Sequence, residues 1–217
     1  MYAAISADIV SSTSLSRDAL ITLNLGLKNL IIRLETMYPG VWGRIVRGDT
    51  LEFILVNPVD ALEVSLLLKT YIKAFEACNC IGSKEFNKYG LRIAIGIGDM
   101  KTNDRELDIM DGDAIYRSGR ALNGLVGRDK YSFVISMADK DKEEVLQVVF
   151  SLLNQLINGM TRRQSQILYE RLIANDTYAV ANKLQITVSG VNQTLNKIGW
   201  ATIEGSIMLY RKLMNNL

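Results

Sequence analysis

The spacing of apolar positions along this chain alternates between a period of two and a helical period, and each switch marks a new element. The opening run YAAISADIV is apolar and β-rich and ends in an acid, which predicts a buried strand delivering Asp8 at its C-terminal end. SSTSLSRD then supplies turn and N-cap residues. From Leu20 the residues Leu23, Leu27, Leu30, Ile31, Leu34 and Met37 recur at helical spacing until Pro39-Gly40 stops them. Two strand-like runs, Trp42 to Arg47 and Leu51 to Val56, flank Gly48-Asp49, a two-residue joint that suits a tight hairpin with Asp49 at its tip.

After Pro58 a second amphipathic helix places Val64, Leu67, Leu68, Tyr71 and Phe75 on one face, and a polar loop is expected from Asn79 to Gly90. LRIAIGIGD alternates as a strand over Ile93, Ile95 and Ile97. Asp111 to Leu125 reads as helix and Tyr131 to Ser136 as a short strand. Strand and helix alternating in this order, with a hairpin between the first two helices, predicts an α/β layer fold of the split βαβ, ferredoxin-like kind.

From Asp139 the strand signal stops. A helix from Lys142 to Leu156 ends at Asn158-Gly159, and everything beyond is helical in pattern. The predicted organisation is an α/β domain over 1–138, a connecting helix over 139–158 and an all-α domain over 159–217. Charge divides at the same place. Residues 159–217 carry seven Lys or Arg against three Asp or Glu, whereas residues 1–158 carry eighteen against twenty, which the overall net of +2 conceals.

Composition then narrows the chemistry. The 217 residues include no His, which excludes Ser-His-Asp and Cys-His nucleophile systems, helical two-His zinc sites and His-ligated haem. Cys78 and Cys80 stand too close together to staple distant parts of the fold and lack partners for a zinc site, so they read as reduced thiols of a cytoplasmic protein. The N-terminus does not read as a secretory signal, and Val145 to Thr161, though uncharged, is broken by Gln147, Ser151, Asn154, Gln155 and Asn158, so no membrane span is expected.

In a split βαβ sheet the first strand lies beside the hairpin, so Asp8 and Asp49 can converge on one edge. Paired carboxylates without imidazole suit Mg²⁺ or Mn²⁺, hard cations that sit between protein oxygens and substrate phosphates. The surroundings of these acids, ADIVSST, RGDTLEF, LRIAIGIGD and DGDAIYRSGRAL, resemble the class III nucleotidyl cyclase catalytic domain over about residues 1–136. That resemblance implies metal held by Asp8 and Asp49 and a transition-state arginine at Arg120. It also implies nucleotide contacts from Ser11, Ser12, Thr13, Arg47 and Arg120. Two positions depart from it: Tyr116 stands where active enzymes usually carry Asn, and Ile45, flanked by Arg44 and Arg47, stands where the purine-selecting residue is expected. In overall plan the chain also resembles the SatD family of bacterial proteins, which implies regulation more than a defined reaction.

The tail, TRRQSQILYERLIANDTYAVANKLQITVSGVNQTLNKIGW, carries the plan of a helix-turn-helix. Thr177 to Leu184 forms the first helix, Ile186 plugs the turn, and Thr187 caps a second helix with Val188, Val191 and Leu195 inward. Its outward residues, Ser189, Asn192, Gln193, Asn196 and Lys197, together with Thr187, are candidates to meet DNA. The segment resembles LuxR-, MarR- and sigma-factor-type domains, except that Gln185 holds the turn position where Gly is commonest. The last helix, from about Ala201 to Asn216, is expected to pack beneath this unit through Ile203, Ile207, Tyr210 and Met214. The reading reached is a homodimeric DNA-binding regulator with a nucleotide- or metal-sensing cyclase-like domain. The alternatives are an active nucleotidyl cyclase and a partner-binding protein with both sites vestigial.

Overall fold

A computed structural model describes residues 1–46, 48–76, 84–106, 109–125 and 132–216; Arg47, Cys78, Cys80 and Tyr131 lie outside the described residues. Its centre is a five-stranded mixed sheet in the order β2-β3-β1-β4-β7, antiparallel except for the β4–β7 pair. The strands are β1 (Tyr2–Ile9), β2 (Val41–Val46), β3 (Thr50–Leu55), β4 (Leu91–Gly98) and β7 (Phe133–Ser136). Strand β1 is central. Its Ala3, Ile5, Ala7 and Ile9 enter the main core, while Ala4, Ser6 and Asp8 line the opposite face, which explains why the segment reads as almost continuously apolar.

Helix α1 (Arg17–Met37) starts where Ser16 accepts a hydrogen bond from the Ala19 N–H, and ends at Tyr38, whose extended backbone (φ −122°, ψ 99°) is the conformation favoured before proline. It buries Leu23, Leu27, Leu30 and Leu34 against the sheet. Helix α2 (Ala61–Ala74) is buried on almost every side, because the sheet covers one face and the C-terminal helices the other. Two lysines are buried with it. Lys69 Nζ donates to the carbonyls of Tyr89 (3.0 Å) and Leu91 (2.6 Å) and to Ser132 Oγ (2.8 Å), and Lys73 Nζ donates to the carbonyls of Asn87 and Lys88.

Those carbonyls belong to or follow α3 (Lys84–Tyr89), a helix within the stretch read from sequence as polar loop. Only Phe86 of its six residues is buried, so periodicity had nothing to register; the lysines of α2 hold its C-terminal end. A second element escaped the pattern. Strands β5 (Met100–Asp104) and β6 (Ile109–Gly112) form a separate two-stranded sheet ahead of α4 (Asp113–Asn123), so the helix begins two residues later than the sequence suggests. MKTND is polar and does not alternate, which hides it. The hairpin is fixed to the sheet edge through Trp42, whose ring has the Arg44 and Arg105 guanidinium groups 5.9 and 5.7 Å from its centroid. Helix α4 lies directly on β4: a Cβ at Gly96 would come within 2.1 Å of the Ala114 carbonyl oxygen.

Helix α5 (Lys140–Asn158) packs on β7 with Phe150 against Phe133, ring centroids 4.4 Å apart. Helices α6 (Arg162–Ala174), α7 (Thr177–Leu184), α8 (Val188–Lys197) and α9 (Trp200–Met214) follow. One hydrophobic core runs from Leu23 and Phe53 through α2 into Leu168, Val191, Ile203 and Tyr210. Helix α6 seats against α2 with the Tyr71 and Tyr169 rings 5.5 Å apart. Besides meeting α8, α9 reaches back to the α/β part: Tyr210 donates to the Pro58 carbonyl at 3.0 Å and Arg211 pairs with Glu63. No helix among the described residues is long and apolar enough to cross a membrane.

Candidate functional site

The first candidate lies where β1 ends. Register places Asp8 opposite Thr50 of β3 on one side and opposite Arg92 of β4 on the other. The Ile9 N–H donates to the Asp49 carbonyl at 2.9 Å, so the hairpin tip is tied to the strand that carries Asp8. Gly48, at φ +81°, makes that turn at no steric cost. Asp49 is held by the Ser12 hydroxyl, which donates to its Oδ2 at 2.9 Å, and Asp8 Oδ2 stands 3.8 Å from Arg92 Nη1. Burial pushes the Asp8 carboxyl above its usual range, the Asp49 charge adds to this, and Arg92 opposes both. The two carboxylates therefore share one electrostatic environment.

Around them, Ser11 adopts the left-handed conformation (φ 53°, ψ 37°) and its hydroxyl donates to Glu85 of α3 at 2.9 Å. A non-glycine residue there is strained, and the Ser14 N–H and hydroxyl, both bonded to the Ser11 carbonyl, help hold it. Thr13 is exposed. Arg44 is committed to Glu52 through Nε (2.9 Å) and Nη2 (2.7 Å). Arg120 is exposed on α4 with its guanidinium 5.9 Å from the Tyr116 ring centroid, and among the described residues no hydrogen bond or ion pair joins it to Asp8 or Asp49. Of the nucleotide candidates, Ser12 thus contacts Asp49 and Ser11 contacts Glu85, while Thr13 and Arg120 have no contact with Asp8 or Asp49 among the described residues.

As a cation site the corner offers two carboxylates with neither imidazole nor thiolate, a donor set that fits Mg²⁺ or Mn²⁺. Among the described residues no group of three or more acidic or thiol side chains forms, so further ligands would have to come from water or from phosphate oxygens. On the same face of β1, a cavity of about 250 Å³ is lined by Ser6, Arg44, Glu52, Ile54, Ile115 and Ser118, with the Ser6 and Ser118 hydroxyls 2.9 Å apart.

The second candidate is the α7–α8 unit. Asp176 caps α7 by accepting from the Tyr178 and Ala179 N–H groups at 3.2 and 2.9 Å. The chain turns at Gln185 (φ 52°, ψ 47°), and the Ile186 N–H returns to the Ala181 carbonyl at 3.0 Å, satisfying the end of α7. Thr187 then starts α8 by accepting from the Gly190 N–H at 3.1 Å. Val180, Ala181, Val191 and Leu195 are buried between the helices. Ser189, Asn192, Gln193, Asn196 and Lys197 are all exposed.

Among solved structures the chain is similar to one described as the structure of a bacterial light-regulated adenylyl cyclase. The identity is 14%, 63% of this chain and 74% of that chain are covered, and the TM-score is 0.36. No family model matches the chain, and no curated protein matches it.

Sequence reasoning missed Arg92 and Glu85 at the acidic corner. Arg92 had a readable signal, since pairing LRIAIGIG antiparallel to YAAISADI sets a basic residue against Asp8. Glu85 had none: it reaches Ser11 only because buried lysines of α2 hold α3 in place.

Proposed function

We propose that this protein is a DNA-binding regulator in which α7 and α8 form a helix-turn-helix mounted on a cyclase-like α/β body. The observation that carries this reading is the α8 surface, where Ser189, Asn192, Gln193, Asn196 and Lys197 form one exposed polar face while Val191 and Leu195 anchor the other. Capping by Thr187 sets the helix start, and a helix presented this way suits the major groove. The β1-α1-β2-β3-α2-β4 run, with sheet order β2-β3-β1-β4, supports a split βαβ body. Helix α6 packs on α2, so the body and the DNA-facing unit move together, and a homodimer would present two α8 helices to a two-fold site. The test is binding of labelled genomic fragments by the full chain over a salt series. Binding should weaken with salt and should be lost in the Asn192→Ala, Gln193→Ala, Lys197→Ala triple variant. A folded protein that binds no fragment at any salt would sink the reading.

The convergence of Asp8 and Asp49 favours a second reading, a nucleotidyl cyclase or nucleotidyltransferase. Asp8 and Asp49 would hold the cation, which would supply charge neutralisation for phosphoryl transfer. Incubation with each nucleoside triphosphate and Mn²⁺ should then yield product that Asp8→Ala abolishes. No product from any of the four would remove it.

A further inference from the structure

We infer that α8 reads adenine rather than guanine; the inference rests on the DNA-binding reading above. Positions 189, 192, 193, 196 and 197 follow the helical spacing of three, four, seven and eight residues, so they share one face, and all are exposed. That face holds three carboxamides, one hydroxyl and one ammonium; α8 contains neither Arg nor any acid. A carboxamide offers an acceptor beside a donor, which matches the N6 donor and N7 acceptor of adenine in the major groove. Guanine offers two acceptors, O6 and N7, and is met by the paired donors of Arg or by Lys. Lys197, the only group here that donates without accepting, is the last residue of the helix. Gln193 Nε2 lies 3.4 Å from Ser189 Oγ, a contact that restrains one amide on the face.

The supply of cations agrees. Arg162 is taken by Glu76 (2.6 Å), Lys183 by Glu170 (2.8 Å) and Arg211 by Glu63. Arg163, Lys197 and Lys212 have no acidic partner among the described residues. With about three phosphate contacts per protomer, the log-log salt slope is roughly −3 for each protomer bound, and base edges carry a correspondingly large part of the affinity. The decisive experiment selects bound duplexes from a random-sequence library with the full chain and then measures affinity for the selected and for random duplexes. We expect adenine at two or more adjacent read positions. Asn192→Ala and Gln193→Ala, checked for folding by circular dichroism, should lose about tenfold to a hundredfold on the selected duplex and so narrow the ratio of selected to random binding. Gln193→Arg should move the preference toward guanine. Random duplex bound with a guanine-rich consensus, or with none, overturns the adenine inference and leaves the DNA-binding reading standing; no duplex bound at any salt overturns both.

Discussion

The acidic corner and the α7–α8 unit both rely on contacts of hydroxyl and carboxylate side chains, but over different spans of chain. In the corner Ser12 reaches Asp49, Ser11 reaches Glu85 and Asp8 faces Arg92, so every contact joins residues brought together by the sheet or by α3. In the helical unit Asp176 accepts from the Tyr178 and Ala179 N–H groups and Thr187 from that of Gly190. Local caps form wherever the helix forms. The corner exists only once three strands are in register, so its chemistry is a property of the whole sheet. Yet the helical unit does not stand alone either, because α6, on which α7 and α8 pack, buries Leu168 in the same core as the sheet.

The largest test of this contrast asks whether the two regions unfold together. Leu168→Ala removes a fully buried side chain and should cost about 2–5 kcal/mol. Trp42 reports on the sheet and Trp200 on α9, so single-tryptophan versions followed by fluorescence in urea should both shift to the same lower midpoint. A shift seen by Trp200 alone would separate the helical part from the body.

Next in size is the anchoring of α3, on which the Ser11–Glu85 contact depends. Burial lowers the Lys73 ammonium to about 8, and Lys69 is lowered by burial and by the neighbouring Lys73 charge. Between about pH 8 and pH 10.5 the unfolded chain therefore binds more protons than the folded one, so stability should rise with pH across that window. For Lys73 the gain is on the order of 2 kcal/mol, and Lys73→Met should flatten it in urea midpoints measured across the window.

A smaller effect probes the corner itself. With Mn²⁺ at about ten times its Kd the folded state should gain about 1.4 kcal/mol, and Asp8→Asn or Asp49→Asn should erase the gain in thermal melts. Because the folded Asp8 carboxyl sits above its usual range, the folded state holds that proton longer than the unfolded one does. This component of stability is therefore lost as pH rises through the range just above the ordinary carboxylate value, and it should vanish in Asp8→Asn. The smallest change expected is at Gln185. Glycine there relieves the left-handed conformation (φ 52°), and Gln185→Gly should raise the melting temperature by an amount worth about 0.5 kcal/mol, with α8 unaltered.

Much of this architecture was legible in the residues. Strand β1, the Gly48-Asp49 hairpin, α1, α2, α5 and the α7–Gln185–Thr187–α8 sequence follow the expected boundaries to within a few residues, because caps, prolines and apolar periods act locally. The β5–β6 hairpin and α3 were not legible. Their sequences are polar, and their positions are set by Trp42 in one case and by Lys69 and Lys73 in the other. Arg44 shows the same limit at a single residue: its neighbours in sequence name no partner for it, and the cross-strand pairing of β2 with β3 places it on Glu52.

By itself, then, the sequence determined where most helices and strands start and stop, which α8 residues face outward, and that no imidazole is present to ligate a cation, since these depend on neighbours within a turn or two and on which side chains are present. Only the tertiary structure decided that Asp8 lies between Thr50 and Arg92, that Glu85 reaches Ser11 and that α6 shares a core with α2. Each of those depends on strand register or helix docking, which is fixed by the burial of many distant residues at once.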